Sequence, residues 1–350
     1  MEKGPLVYVM ASAALFGISA PVAKVLLADV PPVALAALLY LGAFIGLSLI
    51  SAVRAAITPR EARSAPLVKK DIPWLLGAVV AGGVVAPIAL MVGLTTVSGF
   101  AASLLLNLEG VATALIAVMV FREHAGGRLW AALLLMTSAG VLLAWDPGQG
   151  ELDAMGPILI VLAMVCWGID NNLTRQISGR DPVRIAQVKG VMAGGTSLVI
   201  ALLLGWSVVL TPSILLALLL GALSYGVSLV LFIRALEGLG SSRTGAFFSL
   251  GPFVGAGVSI AFLGDEVTLP FLAAAILMAV GVGALAAERH AHLHRHEAIV
   301  HNHPHVADEH HRHPHPDGAE GPHSHEHEHE AIVHSHVHWP DQHHRHEHER

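Results

Sequence analysis

The feature that most constrains this chain is a succession of ten long apolar windows, running roughly 5–27, 31–53, 72–94, 97–120, 129–145, 154–174, 185–209, 212–234, 243–263 and 267–287. A helix that crosses hydrocarbon needs about 20 mostly apolar residues, because lipid offers no partner to a free backbone N–H or C=O. Ten such windows predict an all-α membrane protein of ten transmembrane helices, the fifth starting somewhat before Leu129. Residues 1–287 carry 15 Lys/Arg and 14 Asp/Glu, roughly one charged residue in ten where soluble domains have about a quarter, which excludes an ordinary soluble protein. That near-neutral body offers no basic face to nucleic acid. Its single cysteine, Cys166, excludes a disulfide framework and a Cys-based zinc site. The first window is long and lacks a small-residue cleavage site, so it reads as a retained span.

Orientation follows from Lys and Arg, which are held on the cytoplasmic side. With the N-terminus inside, the inner segments collect Lys3, Arg54, Arg60, Arg63, Lys69, Lys70, Arg122, Arg128, Arg175, Arg180, Arg184, Arg234, Arg243 and Arg289. The outer loops collect Asp29, Asp146, Glu151, Asp153, Asp265 and Glu266 and no cation. Both termini are therefore expected in the cytoplasm, and the Ala, Gly and Leu richness fits a bacterial inner membrane.

The spans repeat. Phe16-Gly17-Ile18 through Lys24 aligns with Trp167-Gly168-Ile169 through Arg175, and Glu109 through Glu123 aligns with Pro252 through Glu266. Five spans per copy is an odd number, so the second copy must be inverted in the membrane, as in alternating-access carriers. The duplicated halves, the run Trp167-Gly168-Ile169-Asp170-Asn171-Asn172-Leu173-Thr174-Arg175, and the stretch from Arg234 through Ser249-Leu250-Gly251-Pro252-Phe253 to Gly264-Asp265-Glu266 resemble the drug/metabolite transporter superfamily, in its ten-helix EamA-type group. The resemblance covers nearly all of residues 5–287. It implies two repeats, 5–145 and 154–287, and secondary transport of a small solute, often export, through a site between the halves. Two positions depart from that pattern: Glu109 stands where relatives often carry a mid-helix Pro, and Tyr40 where they often carry Arg.

Within the spans, Glu109 carries the most information. It lies about 18 Å along the fourth helix at 1.5 Å per residue, and an ionised carboxylate at that depth costs at least a few kcal/mol unless paired or hydrated. It should face a cavity, where a dry environment favours the neutral form and lets the group bind or release a proton or the solute. Asn107 and the polar patch Asp170, Asn171 and Asn172 are further candidates for the solute or proton pathway, although adjacent helical residues point different ways and at most two can line one cavity. Lys189 can snorkel to the cytoplasmic interface or turn inward to neutralise Glu109; Lys24 can snorkel outward. Pro252, like Pro21 and Pro87, loosens its helix by withholding a donor. The Gly82-Gly83 and Gly194-Gly195 pairs favour close packing. No nucleophile elbow, phosphate loop or HExxH is present, so the chain is read as a non-enzyme.

From Glu288 to Arg350 the composition changes to 22 His, 12 acids and five Arg, which cannot build a hydrophobic core and is expected to be disordered without a ligand. Glu297 through His313 recurs as Glu330 through His346 with 12 of 17 positions identical. The first copy holds His301, His303, His305, His310, His311 and His313; the second holds His334, His336, His338, His343, His344 and His346; His323, His325, His327 and His329 lie between. An extended His-x-His unit sets two neutral imidazoles on one side, a donor set suited to zinc, nickel, cobalt or copper. The expected partners are thus a small solute, a coupling proton, the bilayer and divalent metal ions. The principal functional reading is a solute exporter with a metal-responsive tail. A divalent metal exporter and a membrane-anchored metal sensor are the alternatives.

Overall fold

The computed structural model describes residues 3–57, 66–120, 126–144, 155–177, 180–232, 234–235, 244, 247–286, 290–295, 299–305, 323–329 and 333–338. Among them, seven helices are long and apolar enough to cross a bilayer: spans 1 (Gly4–Leu26), 2 (Pro32–Val53), 3 (Lys69–Gly93), 4 (Gly99–Ile116), 6 (Met155–Thr174), 7 (Pro182–Leu203) and 8 (Pro212–Phe232). Three shorter apolar helices complete the set as spans 5 (Gly127–Leu143), 9 (Gly251–Leu263) and 10 (Leu269–Ala284). The fifth helix begins at Gly127, ahead of its apolar window as expected. The seventh stops at Leu203, short of its window, because Gly205 takes a left-handed φ of 90° and turns the chain out of the helix. The loop residues Arg60, Arg63, Arg122, Arg243, Arg289, Asp146, Glu151 and Asp153 lie outside the described residues.

Contacts between the spans respect an exchange of the two halves. Span 1 packs on span 9 and span 6 on span 4; span 2 meets span 8 and span 3 meets span 7; span 3 meets span 6 and span 8 meets span 1; spans 2 and 7 pack together, as do spans 5 and 10. The approach is close enough to require glycine. A methyl group on Gly17 would overlap the carbonyl of Gly251, and one on Gly168 would press on Ala112 and Thr113. Gly17 and Gly168 are the aligned residues of the two copies, so the same contact is built twice. The fold is therefore two inverted five-helix repeats.

Several spans are not continuous α-helix, and the irregularities of spans 3 and 8 and of spans 4 and 9 come in pairs, whereas the break of span 1 after Gly17 and the π stretch Ser259–Leu263 of span 9 do not. Spans 3 and 8 each contain a π-helical stretch, Val79–Val85 and Gly221–Val227. Span 4 tightens between its two pieces, with Asn107 N–H donating to Leu104 O and Gly110 N–H to Asn107 O. At the aligned positions of span 9, Leu250 N–H donates to Phe247 O and Phe253 N–H to Leu250 O. Pro252, which has no N–H to give, follows that break as an early residue of the helix Gly251–Val258.

Residues 289–350 form a separate unit. In it β1 (His290–Arg295) pairs antiparallel with β4 (Val333–His338), and β2 (Ile299–His305) with β3 (His323–His329). The register places His292 opposite His336 and His303 opposite His325. Isolated two-stranded ladders are marginal in water, so the pairing does not give this unit a core of its own. His310, His311, His313, His343, His344 and His346 lie outside the described residues.

Candidate functional site

The site begins with a carbonyl that proline leaves free. In the π stretch of span 3, Ala86 N–H donates back five residues to Ala81 O. The next bond in that register would run from residue 87 to Gly82 O, and Pro87 has no N–H to make it. Tyr40 Oη–H (2.7 Å) and Trp167 Nε1–H (2.9 Å) donate to Gly82 O instead. An irregularity written into span 3 thus fixes side chains from spans 2 and 6. Gly82 also admits Asp170, whose carboxylate and Cβ would overlap any side chain at that position.

Asp170 is buried at 6% exposure. Lys189 Nζ from span 7 donates to both its oxygens at 2.6 Å, and Thr174 Oγ1 donates to Oδ1 at 2.8 Å. Lys189 therefore turns inward, but its partner is Asp170 and not Glu109. The physical reason is that Gly82 lets the span 6 carboxylate sit deep beside span 7, so the nearer charge takes the ammonium.

Glu109 occupies the first turn of the helix Leu108–Met119, beyond the break in span 4. Its Oε1 accepts from Asn171 Nδ2 at 2.8 Å, and the same amide reaches Thr113 Oγ1 at 3.2 Å. Among the described residues no cation is ion-paired with it. Asp170, Lys189, Tyr40 and Tyr225 all lie within its electrostatic reach, from spans 6, 7, 2 and 8. Glu109 is half-buried and Asn171 exposed even with these neighbours on several sides.

The remaining candidates take other places. Asn172 is buried, and its Nδ2 donates to Gly168 O (2.8 Å) and Thr113 O (3.2 Å), clamping span 6 to span 4. Asn171 and Asn172 thus both face span 4, while Asp170 faces spans 3 and 7. Asn107 is buried at the span 4 break, its Nδ2 without a hydrogen-bond partner. Lys24 Nζ donates to Leu94 O (2.6 Å), Val97 O (2.8 Å) and Thr95 O (3.4 Å), capping the end of span 3. Pro252 sets the start of a helical piece. Tyr225, Phe16, Phe248 and Thr113 join the site without having been singled out as pathway residues. The rarity of tyrosine, three in the chain, was the available signal for Tyr225.

Both ends of the bundle are tied across the halves. At the end assigned to the cytoplasm Arg180 Nε donates to Asp71 Oδ2 at 2.9 Å, and at the other Phe100 N–H donates to Asp265 Oδ2 at 2.7 Å. A separate cavity of about 530 Å³, lined by Pro31, Val92, Trp206 and their neighbours, lies at the Gly205 end of span 7, away from the carboxylates.

The sequence pattern described as the EamA-like transporter family matches residues 4–145 and again 154–286. An uncharacterized transporter of Methanothermobacter thermautotrophicus is 29% identical over 279 residues, 76% of this chain and 81% of that protein. A solved crystal structure superposes with a TM-score of 0.59 at 18% identity, covering 81% of this chain and 98% of the other, a likeness of fold.

Proposed function

The chain belongs to the EamA-like transporter family, and from that premise we propose that it exports a small solute across the cytoplasmic membrane by secondary transport, with Glu109 exchanging solute for a proton. It is a multi-pass membrane transporter and not an enzyme. The observation that carries the proposal is the unequal treatment of two interior carboxylates: among the described residues Asp170 is neutralised by Lys189, whereas Glu109 is held by the neutral amide of Asn171 and is ion-paired with no cation. An interior carboxylate without a countercharge needs a proton or a cation before its surroundings can close, which is what an exchange group requires. The broken helices of spans 4 and 9 lie where halves must rock, and the cross-half ties at both ends are the contacts such rocking would alternately break.

The tail adds a metal-responsive element that binds divalent ions. Its composition supports this, as does a register that sets His301, His303 and His305 opposite His327, His325 and His323. Bare metal is the weaker cargo, since among the described residues of the spans no group of three or more His, Cys, Asp or Glu is gathered. In a bacterial inner membrane with both termini inside, single cysteines at 64–66 should label from the cytoplasm and those at 148–150 from outside.

Comparing metabolite and metal content of cells with and without the protein tests the reading. The expected result is a small solute lost from cells and gained by the medium, with total metal unchanged. Altered metal alone would support the metal exporter, and no change in either would leave a sensor.

A further inference from the structure

Aromatic side chains from both halves gather around Phe16. Phe16 lies 6.3 Å from Trp167, 6.2 Å from Tyr225 and 5.2 Å from Phe248 between ring centres, and Tyr225 lies 5.6 Å from Tyr40. Phe16 and Trp167 are the aligned residues of the two copies, so this contact straddles the axis that exchanges the halves. Phe16, Tyr225 and Phe248 are only half-buried although spans 1, 6, 8 and 9 meet there, and Glu109 and Asn171 also keep accessible surface. Trp167 and Asn171 stand four residues apart on one face of span 6, Trp167 against the Phe16 ring and Asn171 on Glu109, so that face presents rings and carboxylate side by side.

The charge beside that face can be summed from its described groups. Asp170 and Lys189 cancel, which leaves Glu109 as a single negative charge. Aromatic faces carry negative quadrupole density and attract cations, most strongly where water is excluded. Carboxylate and rings therefore reject an anion together. A zwitterion would need a free cation for its acidic end, but Lys189 is held by Asp170 and Lys24 by backbone carbonyls. A divalent metal would need several hard or imidazole ligands where the site offers one carboxylate, an amide and rings.

We propose that the site takes a small monovalent organic cation, an ammonium with an aromatic or alkyl body, its charge on Glu109 and its body against Phe16, Tyr225 and Phe248. This rests on the transporter reading of Glu109 and names the class of its solute.

The test is calorimetric binding to the full chain in lipid nanodiscs, using benzyltrimethylammonium, benzyl alcohol and benzoate as probes of one ring and three charges. The cation should bind at least tenfold more tightly than the alcohol, and benzoate should not bind. Glu109→Gln, which keeps an acceptor for Asn171, should cost the cation at least tenfold and close the gap to the alcohol. Phe16→Leu, which keeps apolar bulk but removes the π face, should cost roughly three- to tenfold. Unchanged melting temperatures establish that both variants fold. Equal binding of cation and alcohol, preference for benzoate, undiminished cation binding in Glu109→Gln, or no binding of any probe would overturn the proposal. If the cell-content comparison meanwhile finds an exported anion or neutral solute, only the solute class fails; if it finds none, the transporter reading itself fails.

Discussion

Asp170 and Glu109 are carboxylates of one interior, close enough to feel each other's charge, and the protein treats them in opposite ways. Asp170 sinks against a glycine and takes an ammonium on both oxygens; Glu109 stays at an accessible edge on a neutral amide. In a medium of low dielectric this difference divides their work. In the proposed reading Asp170 has a structural part, because a carboxylate that already holds its countercharge strands a buried ion when it lets go. A carboxylate without one is free to alternate between proton and cargo.

The contrast can be broken most severely at Lys189. Lys189→Met leaves Asp170 buried and unpaired and should lower stability by about 3–5 kcal/mol, read as a fall in melting temperature in detergent. Adding Asp170→Asn should restore most of the loss; a single variant as stable as the parent would show that the pair does not bear on the fold. Gly82→Ala acts on the same pair from the other side. Its methyl meets the Asp170 carboxylate, and the overpacking should cost about 1–3 kcal/mol. A smaller effect is expected from Trp167→Phe, since Tyr40 still satisfies Gly82 O, and a loss of about 1 kcal/mol is what one neutral hydrogen bond is worth. Deleting residues 290–350 should change body stability least of all. The truncated carrier should keep basal transport, lose calorimetric binding of zinc and nickel, and lose any response of transport to them. Loss of all transport would put the tail in the transport path.

The spans were legible because lipid imposes one requirement on every crossing segment, and windows such as 72–94 and 212–234 fall within a few residues of Lys69–Gly93 and Pro212–Phe232. Glu109 was legible for the same reason, as an ionisable group where none is free of cost. The pairings were not. For Lys189 the sequence left snorkelling and an inward turn toward Glu109 both open, and its choice of Asp170 depends on how closely span 6 lies on Gly82, a tertiary distance with no local pattern. Pro87 announced a freed carbonyl, while Tyr40 and Trp167, its donors, come from spans distant in sequence. The break in span 4 carries no proline and emerges only from comparison with span 9, where Pro252 marks the same place.

The central claim, that Glu109 is the exchange group and Asp170 is not, is tested most directly in proteoliposomes enclosing a pH-sensitive dye. They are to be challenged with the solute that the cell-content comparison identifies. Wild-type protein should couple solute flux to a change in luminal pH, and Glu109→Gln, folded and inserted, should abolish both the flux and the pH change. Undiminished coupled flux in Glu109→Gln would contradict the account.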